Sequence, residues 1–229
     1  MKNRVRTFES RVALNEALIE RLAWEIEQRA PTAVMLSGGN TPLQAYQALA
    51  GRRLAPSTGF EIFFSDERHV PITSDASNYR AIRPLLETLA LPPERVLRVR
   101  TELPLERAVE DYERRLRMLL GSAARIGLGL LGLGADGHTA SLFTEGDLKR
   151  ASGKLAVAVQ RPDGRSAVSV TPQLLDHVAE VIFVVSGADK QSALKALVER
   201  KPDSTAARAT AGCPSVEIWA DRDAWPPTA

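Results

Sequence analysis

Short apolar runs alternate with longer amphipathic stretches along this chain of 229 residues. The clearest helical periodicity lies at 8–29, where leucine or isoleucine recurs at four-residue spacing between charged residues. Residues 105–120 have the same character, with apolar residues on one face and charges elsewhere. Both patterns predict amphipathic helices that pack against a core.

Short apolar runs between the helical stretches predict buried strands. The predicted strands are 33–36, 60–65, 96–100, a run that starts at 126, 155–160, 167–171, 181–185 and 216–219. Further helices are predicted at 43–50, 78–89, 139–143 and 191–199, whereas the polar segments 145–154 and 201–212 are predicted to be loops.

Two of these helices carry recognisable start signals. Thr41 is expected to cap the helix at 43–50, with Pro42 at its first position. Ser77 is expected to cap the helix at 78–89, which Pro84 should break or kink.

Strands that alternate with helices predict an α/β fold, with a mainly parallel, doubly wound sheet and helices on both faces. The length and the 44% hydrophobic content suit a single domain over residues 1–229. Right-handed crossovers place the carboxyl ends of parallel strands along one edge of the sheet. The loops that follow these strands should therefore meet.

Charge and cysteine content exclude several classes of function. Thirty basic and 28 acidic side chains give a net charge of +2 and are scattered, so we expect no nucleic-acid or membrane partner. The single Cys213 excludes an intramolecular disulfide, and no cluster has metal-ligand spacing, so we expect no metal and no cofactor. The first ten residues lack the apolar segment of a signal peptide, and no apolar run approaches the roughly 18 residues of a membrane span. We expect a cytoplasmic protein.

Candidate chemistry follows four of the predicted strands. Gly38 and Gly39 precede a helix start, where backbone N–H groups and the helix dipole favour an anion. Two acidic groups, two basic groups and an imidazole follow the other three strands. These side chains are Asp66, Arg68, Asp136, His138 and Lys190. Gathered at one edge, the four loops suit a sugar phosphate.

The stretch Gly132-Leu133-Gly134-Ala135-Asp136-Gly137 matches the GxGxxG pattern of dinucleotide-binding proteins. Asp136 would repel a pyrophosphate, however, and no acidic residue stands about 20 positions later to hold a ribose. We interpret the glycines as a sharp turn that presents Asp136 and His138 at the edge of the sheet.

Four sequence blocks together resemble the 6-phosphogluconolactonase family. They are Ser37-Gly38-Gly39-Asn40-Thr41-Pro42, Ser65-Asp66-Glu67-Arg68, Asp136-Gly137-His138-Thr139 and Gly187 with Lys190. The blocks occur in the family's order and span most of the chain. The resemblance implies a fold shared with glucosamine-6-phosphate deaminases and ribose-5-phosphate isomerases. It also implies hydrolysis of 6-phosphogluconolactone, a small-molecule sugar-phosphate lactone, in the pentose phosphate pathway.

Roles for the candidate residues follow from this resemblance. We expect His138 to be the general base and Asp136 to orient the imidazole or the attacking water. Lys190 is expected to bind the phosphate together with the loop that contains Gly38, Gly39, Asn40 and Thr41. Arg68 would bind either the phosphate or the oxyanion, and Asp66 would position Arg68 or a sugar hydroxyl.

The chain departs from the family pattern at two positions. Thr144 stands where the family usually has proline, which predicts a differently shaped or more mobile loop after residue 143. Ala167 stands where the family commonly has an arginine. Arg165 lies two residues earlier, and side chains two apart on a strand share a face, so Arg165 is a candidate substitute.

Two alternatives remain open. A glucosamine-6-phosphate deaminase/isomerase would resemble the first loop and Asp136-Gly137-His138, but that family carries a tyrosine where this chain has Arg68 and a glutamate at Phe143. A sugar-phosphate-sensing effector domain would need a DNA-binding motif. About 30 residues precede the first predicted strand, and they read as one amphipathic helix. The protein is expected to be a monomer or a homodimer.

Overall fold

The computed structural model describes residues 4–30, 32–122 and 124–225. Within these residues the strands are β1 (Arg4–Phe8), β2 (Thr32–Leu36), β3 (Glu61–Phe64), β4 (Asp66–Arg68), β5 (Val96–Leu97), β6 (Arg125–Leu131), β7 (Ala156–Gln160), β8 (Ser166–Val170), β9 (Glu180–Val185) and β10 (Val216–Asp221). The helices are α1 (Arg11–Ile26), α2 (Asn40–Ala50), α3 (Asn78–Leu89), α4 (Leu105–Leu120), α5 (Glu145–Arg150), α6 (Pro172–Leu175), α7 (Gln191–Val198) and α8 (Thr205–Ala209). Across the described ranges, no helix is both long and apolar enough to span a membrane.

The strands form two sheets. Seven of the described strands build a parallel sheet in the order β1-β10-β9-β6-β2-β3-β5, and β4, β8 and β7 build an antiparallel one. From β2 the chain proceeds outward to β3 and β5, and then β6 returns to the opposite side of β2. The crevice beyond the carboxyl ends of β2 and β6 is therefore the switch point at which α/β proteins bind ligands.

Both faces of the parallel sheet are buried, because side chains alternate between the faces along each strand. Val34 and Ile62 belong to the core that packs against α1, α2 and α3. Met35 and Phe63 belong to the opposite core, which includes α4, α6, α7, α8 and the hairpin of β7 and β8. The predicted doubly wound α/β fold is confirmed, and the antiparallel sheet is an addition to it.

Ser65 joins the two sheets. Its N–H donates to the carbonyl of Leu36 in β2 at 2.8 Å, and its carbonyl accepts the N–H of Val170 in β8 at 2.8 Å. The antiparallel sheet therefore begins at the carboxyl edge of the parallel sheet. Asp66 and Arg68, which follow directly in β4, are carried to that edge.

Some predictions of local structure are wrong. Residues 4–8 form β1 at the edge of the sheet, so the first described strand precedes α1 rather than following it. The segments 145–154 and 201–212 contain α5 and α8, which the sequence left as loops. Residues 139–143 form a turn closed by a hydrogen bond from the N–H of Leu142 to the carbonyl of Thr139, instead of a helix.

The predictions for the ends and caps of α2 and α3 are confirmed only in part. Ser77 caps α3 as predicted, and its side chain accepts the N–H of Arg80. Pro84 does not break α3, which runs through it to Leu89. The cap of α2 is Gly39 rather than Thr41, because the glycine turn enters the helix earlier than the proline suggested.

Candidate active site

A cavity of about 310 Å³ lies at the carboxyl edge of the parallel sheet. The loops after β2, β6 and β9 form its walls, together with the side chain of Arg11 at the start of α1. These three strands are neighbours in the sheet. Three of the four loops that the sequence predicted to meet therefore line one cavity, whereas Asp66, Arg68, Asp136 and His138 are not among its lining residues.

The start of α2 forms the first wall of the cavity. Gly39, its N-cap, has a φ of 102°, in the left-handed region that glycine adopts most easily. Gly38, Asn40 and Thr41 line the cavity beside it. The first turn of a helix leaves backbone N–H groups without helical partners, and the helix dipole adds positive potential there. This wall can therefore bind an anion.

Lys190 lies on the opposite wall, in a short 3-10 helix after β9. Its Nζ is 3.1 Å from Oδ2 of Asp189, whose side chain is largely exposed. Buried Asp221 fixes the approach to this wall, because it accepts hydrogen bonds from the hydroxyl of Ser186 and from the N–H of Gly187. The lysine and the glycine loop thus share one cavity.

Arg11 is a cavity residue that the sequence reading missed. Its Nη2 donates to the carbonyl of Asn40 at 2.9 Å, and its Nε is buried without a hydrogen-bond partner. Residue 11 precedes all of the other cavity residues in the sequence and begins a helix that the sequence identified only as packing against the core. Its place in the site follows from the packing of α1 on α2, which no local pattern reveals.

Asp136 and His138 form a hydrogen-bonded pair in the loop after β6. Nδ1 of His138 is 2.5 Å from Oδ1 of Asp136, which also accepts the backbone N–H of His138 at 3.2 Å. A carboxylate at Nδ1 keeps the proton on that nitrogen and leaves Nε2 as the basic atom. Burial raises the pKa of Asp136, but the hydrogen bonds from His138 outweigh this effect and bring the pKa below its usual value.

Gly134 makes room for this pair. A Cβ atom at residue 134 would lie 2.1 Å from Nδ1 of His138 and 2.3 Å from Oδ1 of Asp136. The N–H of Gly134 also donates to the carbonyl of His138 at 2.9 Å, which closes the turn. Glycine at this position therefore allows the carboxylate and the imidazole to fold back over their own backbone.

Phe143 packs against the imidazole of His138, with 4.3 Å between the ring centroids. Its backbone is held from two sides: buried Asp147 accepts its N–H at 3.0 Å, and the hydroxyl of Thr205 donates to its carbonyl at 3.3 Å. The start of α8 also donates a backbone N–H to the carbonyl of Gly137 at 3.1 Å. Helices α5 and α8 therefore support the loop that carries His138.

Asp66 is buried in β4 and binds two hydroxyl groups. Its Oδ2 accepts from Ser141 at 2.6 Å, and its Oδ1 accepts from Ser65 at 2.9 Å. The hydroxyl oxygen of Ser141 accepts in turn from Nη1 of Arg161 at 3.0 Å, and that guanidinium lies 5.2 Å from the ring centre of Phe143. These contacts connect β4 to the loop after β6.

Arg68 lies outside the walls of the cavity. Its Nη1 donates to the carbonyl of Ala76 at 2.8 Å, and its Nε is buried without a hydrogen-bond partner. It stands two residues after Asp66 and therefore on the same face of β4. Glu67, between them, accepts two backbone N–H groups at the start of α3, and burial is the main reason that its pKa is raised.

Arg165 lies in the turn before β8. Its side chain is 53% exposed, and its Nη1 is 3.6 Å from Oδ2 of Asp163. Arg161, on the other side of the same turn, is 14% exposed and reaches Ser141 and the ring of Phe143. These contacts favour Arg161, rather than Arg165, as the residue that takes the place of the family's strand arginine. A role for Arg165 stays a prediction.

The cavity and the Asp136–His138 pair share the loop after β6, in which Gly132 and Leu133 line the cavity. Gly132 lines the cavity, and its carbonyl accepts the hydroxyl of Thr139 at 2.9 Å, directly beyond His138. The loop after β6 thus connects a cavity that is suited to an anion with the imidazole of His138. Among the described residues, no group of three or more His, Cys, Asp or Glu side chains could hold a metal ion.

Comparison with known proteins gives consistent matches. A family model described as glucosamine-6-phosphate isomerases/6-phosphogluconolactonase matches residues 9–219. A 6-phosphogluconolactonase from Thermotoga maritima is 35% identical over 181 residues, which are 77% of this chain and 79% of that protein. A crystal structure of the T. maritima enzyme superposes with a TM-score of 0.83 at 29% identity, covering 96% of this chain and 100% of the other. A monomeric glucosamine-6-phosphate deaminase has the same fold, with a TM-score of 0.80 at 18% identity over 96% of this chain and 98% of the other.

Proposed function

Because the chain belongs to the glucosamine-6-phosphate isomerase/6-phosphogluconolactonase family, we propose that it is a 6-phosphogluconolactonase. It hydrolyses 6-phospho-D-glucono-1,5-lactone to 6-phospho-D-gluconate, the second step of the oxidative pentose phosphate pathway. The observation that carries the proposal is the Asp136–His138 pair, a positioned base beside an anion-binding cavity at the same sheet edge.

The phosphate occupies the cavity between the start of α2 and Lys190. Backbone N–H groups from the Gly38, Gly39, Asn40 and Thr41 loop donate to its oxygens, and Lys190 supplies positive charge. The phosphate is remote from the reacting carbonyl, so this binding fixes the position of the lactone relative to the base. Such positioning converts binding energy into a favourable attack geometry.

Attack by water is assisted by His138. Nε2 takes a proton from the water as its oxygen bonds to the lactone carbonyl carbon, and the carbonyl becomes a tetrahedral oxyanion. Asp136 stabilises the imidazolium that forms and holds the ring in the required tautomer. Because its pKa lies below the usual value, Asp136 is ionised at neutral pH and above.

Collapse of the intermediate uses the same imidazolium. The carbonyl re-forms, the bond between the carbonyl carbon and the ring oxygen breaks, and Nε2–H of His138 protonates the departing alkoxide. The proton taken from water thus appears on the new sugar hydroxyl, and the imidazole is neutral again. One residue serves both halves of the reaction.

We assign Arg68 to the oxyanion, because it does not line the phosphate cavity and lies on the same face of β4 as Asp66. Asp66 acts as a positioning residue: through Ser141 it holds the loop after His138 against β4.

The deaminase alternative is tested by the environment of the imidazole. Phe143 presents an apolar ring to His138, at the position where the deaminase pattern has a glutamate. Ring opening of an amino sugar needs further proton transfers, for which an apolar neighbour is unsuited. We therefore expect no release of ammonia from glucosamine 6-phosphate, and ammonia release at rates near lactone hydrolysis would contradict the assignment.

The direct test is a coupled assay, in which glucose-6-phosphate dehydrogenase generates the lactone and 6-phosphogluconate dehydrogenase reports the acid. We expect the purified protein to accelerate formation of the acid over spontaneous hydrolysis. His138→Asn should lower kcat by roughly 10²- to 10⁴-fold, because it removes the base. The control is His177→Asn, since His177 is exposed and outside the site, and it should leave kcat unchanged. Equal rates for the two variants would remove His138 from the mechanism.

A further inference from the structure

Arg11 differs from the other cavity residues in the element that carries it and in the groups that surround its guanidinium. It is the first residue of α1, and Ser10 caps this helix by accepting the N–H of Ala13. Asn15, one turn later, donates to Oε1 of Gln44 in α2 at 3.0 Å. The start of α1 is therefore fixed against α2, and the guanidinium of Arg11 is delivered to the cavity by helix packing.

The charge of Arg11 is less compensated than that of Lys190. Lys190 stands 3.1 Å from the carboxylate of Asp189, which lines the same cavity and offsets part of its charge. Within the described residues, Arg11 has no carboxylate partner: its Nη2 donates to a backbone carbonyl and its buried Nε has no partner. A buried guanidinium N–H without a partner is unfavourable unless a ligand supplies the acceptor.

We propose that Arg11 is a phosphate-binding residue of this site. It adds positive charge to that of Lys190, which Asp189 partly offsets. The proposal rests on the proposed function for the identity of the substrate, and on the cavity alone for anion binding. The phosphate of the lactone then accepts hydrogen bonds from Arg11, from Lys190 and from the start of α2, all of which line the cavity. Specificity for a phosphorylated lactone over an unphosphorylated one then depends on Arg11.

Charge and tethering are separable roles of this side chain, because Nη2 also holds the carbonyl of Asn40 at the start of α2. Arg11→Lys keeps a positive charge, Arg11→Gln keeps a donor without charge, and Arg11→Ala removes both. The matched control is Arg29→Ala, which removes an exposed arginine just beyond the far end of α1, about 24 Å away for a 16-residue helix.

The kinetic test measures KM and kcat for the phosphorylated lactone and the inhibition constant for inorganic phosphate. Arg11→Ala and Arg11→Gln should raise KM about 10- to 100-fold, the usual loss for a hydrogen bond to a charged group, with kcat changed less than about 3-fold. The phosphate inhibition constant should rise in parallel, with Arg11→Lys intermediate. Hydrolysis of unphosphorylated glucono-1,5-lactone should be unchanged in all variants.

Two kinetic results would overturn the role of Arg11: an unchanged KM and phosphate inhibition constant in Arg11→Ala, or full recovery by Arg11→Gln, which would show that the tether suffices. A second measurement works even without lactonase activity. Inorganic phosphate should raise the Tm of the wild type and of Arg29→Ala, but raise that of Arg11→Ala much less. Wild-type protein that binds phosphate yet fails to hydrolyse the lactone would refute the proposed function alone, whereas equal phosphate stabilisation in all variants would refute the role of Arg11.

Discussion

Individual side chains in this site depend on partners that are remote in the sequence. Asp136 and His138 could be predicted, because both lie in one loop directly after an apolar strand. Arg161 could not, because it reaches Ser141 and Phe143 from a hairpin turn whose direction is set by the pairing of β7 with β8. Spacing along the strand favoured Arg165 instead. The geometry of the turn decides which of the two arginines reaches Ser141 and Phe143, and the spacing of residues along the strand does not reveal it.

Arg161 and Arg165 therefore form a matched pair for mutagenesis. Arg161→Ala removes a hydrogen bond to Ser141 and a cation stacked over Phe143, the ring that packs on His138. We expect kcat/KM to fall about 10-fold or more. Arg165→Ala removes a half-exposed side chain paired with Asp163 and should change kcat/KM less than about 2-fold.

Steady-state kinetics of the two variants, with circular dichroism to check the fold, measure this difference. Arg161→Lys serves as the conservative variant, because it keeps the charge without the planar donor group. A larger loss in Arg165→Ala than in Arg161→Ala would show that Arg165 substitutes for the family's strand arginine after all, in a conformation reached with substrate bound.

Short elements that the sequence left as loops support the loop that carries His138. Helix α8 donates a backbone N–H to Gly137, and α5 holds Phe143 through Asp147. Neither helix is long enough to show hydrophobic periodicity, since each spans fewer than two turns. What defines them is capping, by Thr144 and Ser204, and such caps are also common in turns.

Strand β1 was not predicted, for a different reason. It is an edge strand with mostly exposed side chains, so the parallel pairing with β10 stabilises it without an apolar run. By contrast, β2, β3, β6 and β9 are buried on both faces and were all visible as apolar runs. The sequence therefore predicts the centre of the sheet and the edge strand β5, but not the edge strand β1.

Asp147 provides a test of the support from α5. Its Oδ2 accepts from the N–H groups of Phe143 and Thr144 and from the hydroxyl of Thr144, and the residue is buried. Asp147→Ala leaves these donors without their acceptor, so we expect the free energy of unfolding to fall by about 2–3 kcal/mol. Chemical denaturation measures this change, and kcat should fall as the ring of Phe143 loses its fixed position.

Glu145→Ala is the matched control, because Glu145 lies in the first turn of the same helix and carries the same charge. Its side chain is 58% exposed and pairs with Lys149 at 3.2 Å, so its loss should change the free energy of unfolding by less than about 0.5 kcal/mol. Equal effects of the two substitutions would mean that helix charge, rather than the buried cap, matters.

At the scale of the whole molecule, the site depends on strands from both halves of the chain. The cavity proposed to bind the phosphate is lined by α1, the start of α2 and the loop after β9, and His138, the proposed base, follows β6. Sheet order places β9, β6 and β2 side by side although they are far apart in the sequence. We therefore expect a single cooperative domain, in which a ligand at the site stabilises the whole fold.

Cys213 can report on this cooperativity. It is the chain's single cysteine, its sulfur donates to the carbonyl of Leu175, and burial raises the pKa of its thiol to about 12. At pH 8 the thiolate fraction is then about 10⁻⁴, so a disulfide reagent should label the protein mainly after opening. Cys213 follows α8, the helix that contacts the loop of His138 through Gly137.

If opening around Cys213 disrupts the site, 6-phosphogluconate at about 100 times its Kd should slow labelling roughly 100-fold, because the ligand binds the closed protein alone. Labelling in guanidinium chloride controls for an effect of the ligand on the reagent and should not change. A labelling rate that is independent of ligand would show that the region of Cys213 opens by itself. Local opening that leaves the cavity intact cannot be opposed by a ligand bound there. The chain would then contain two regions that unfold separately, with the site in one of them.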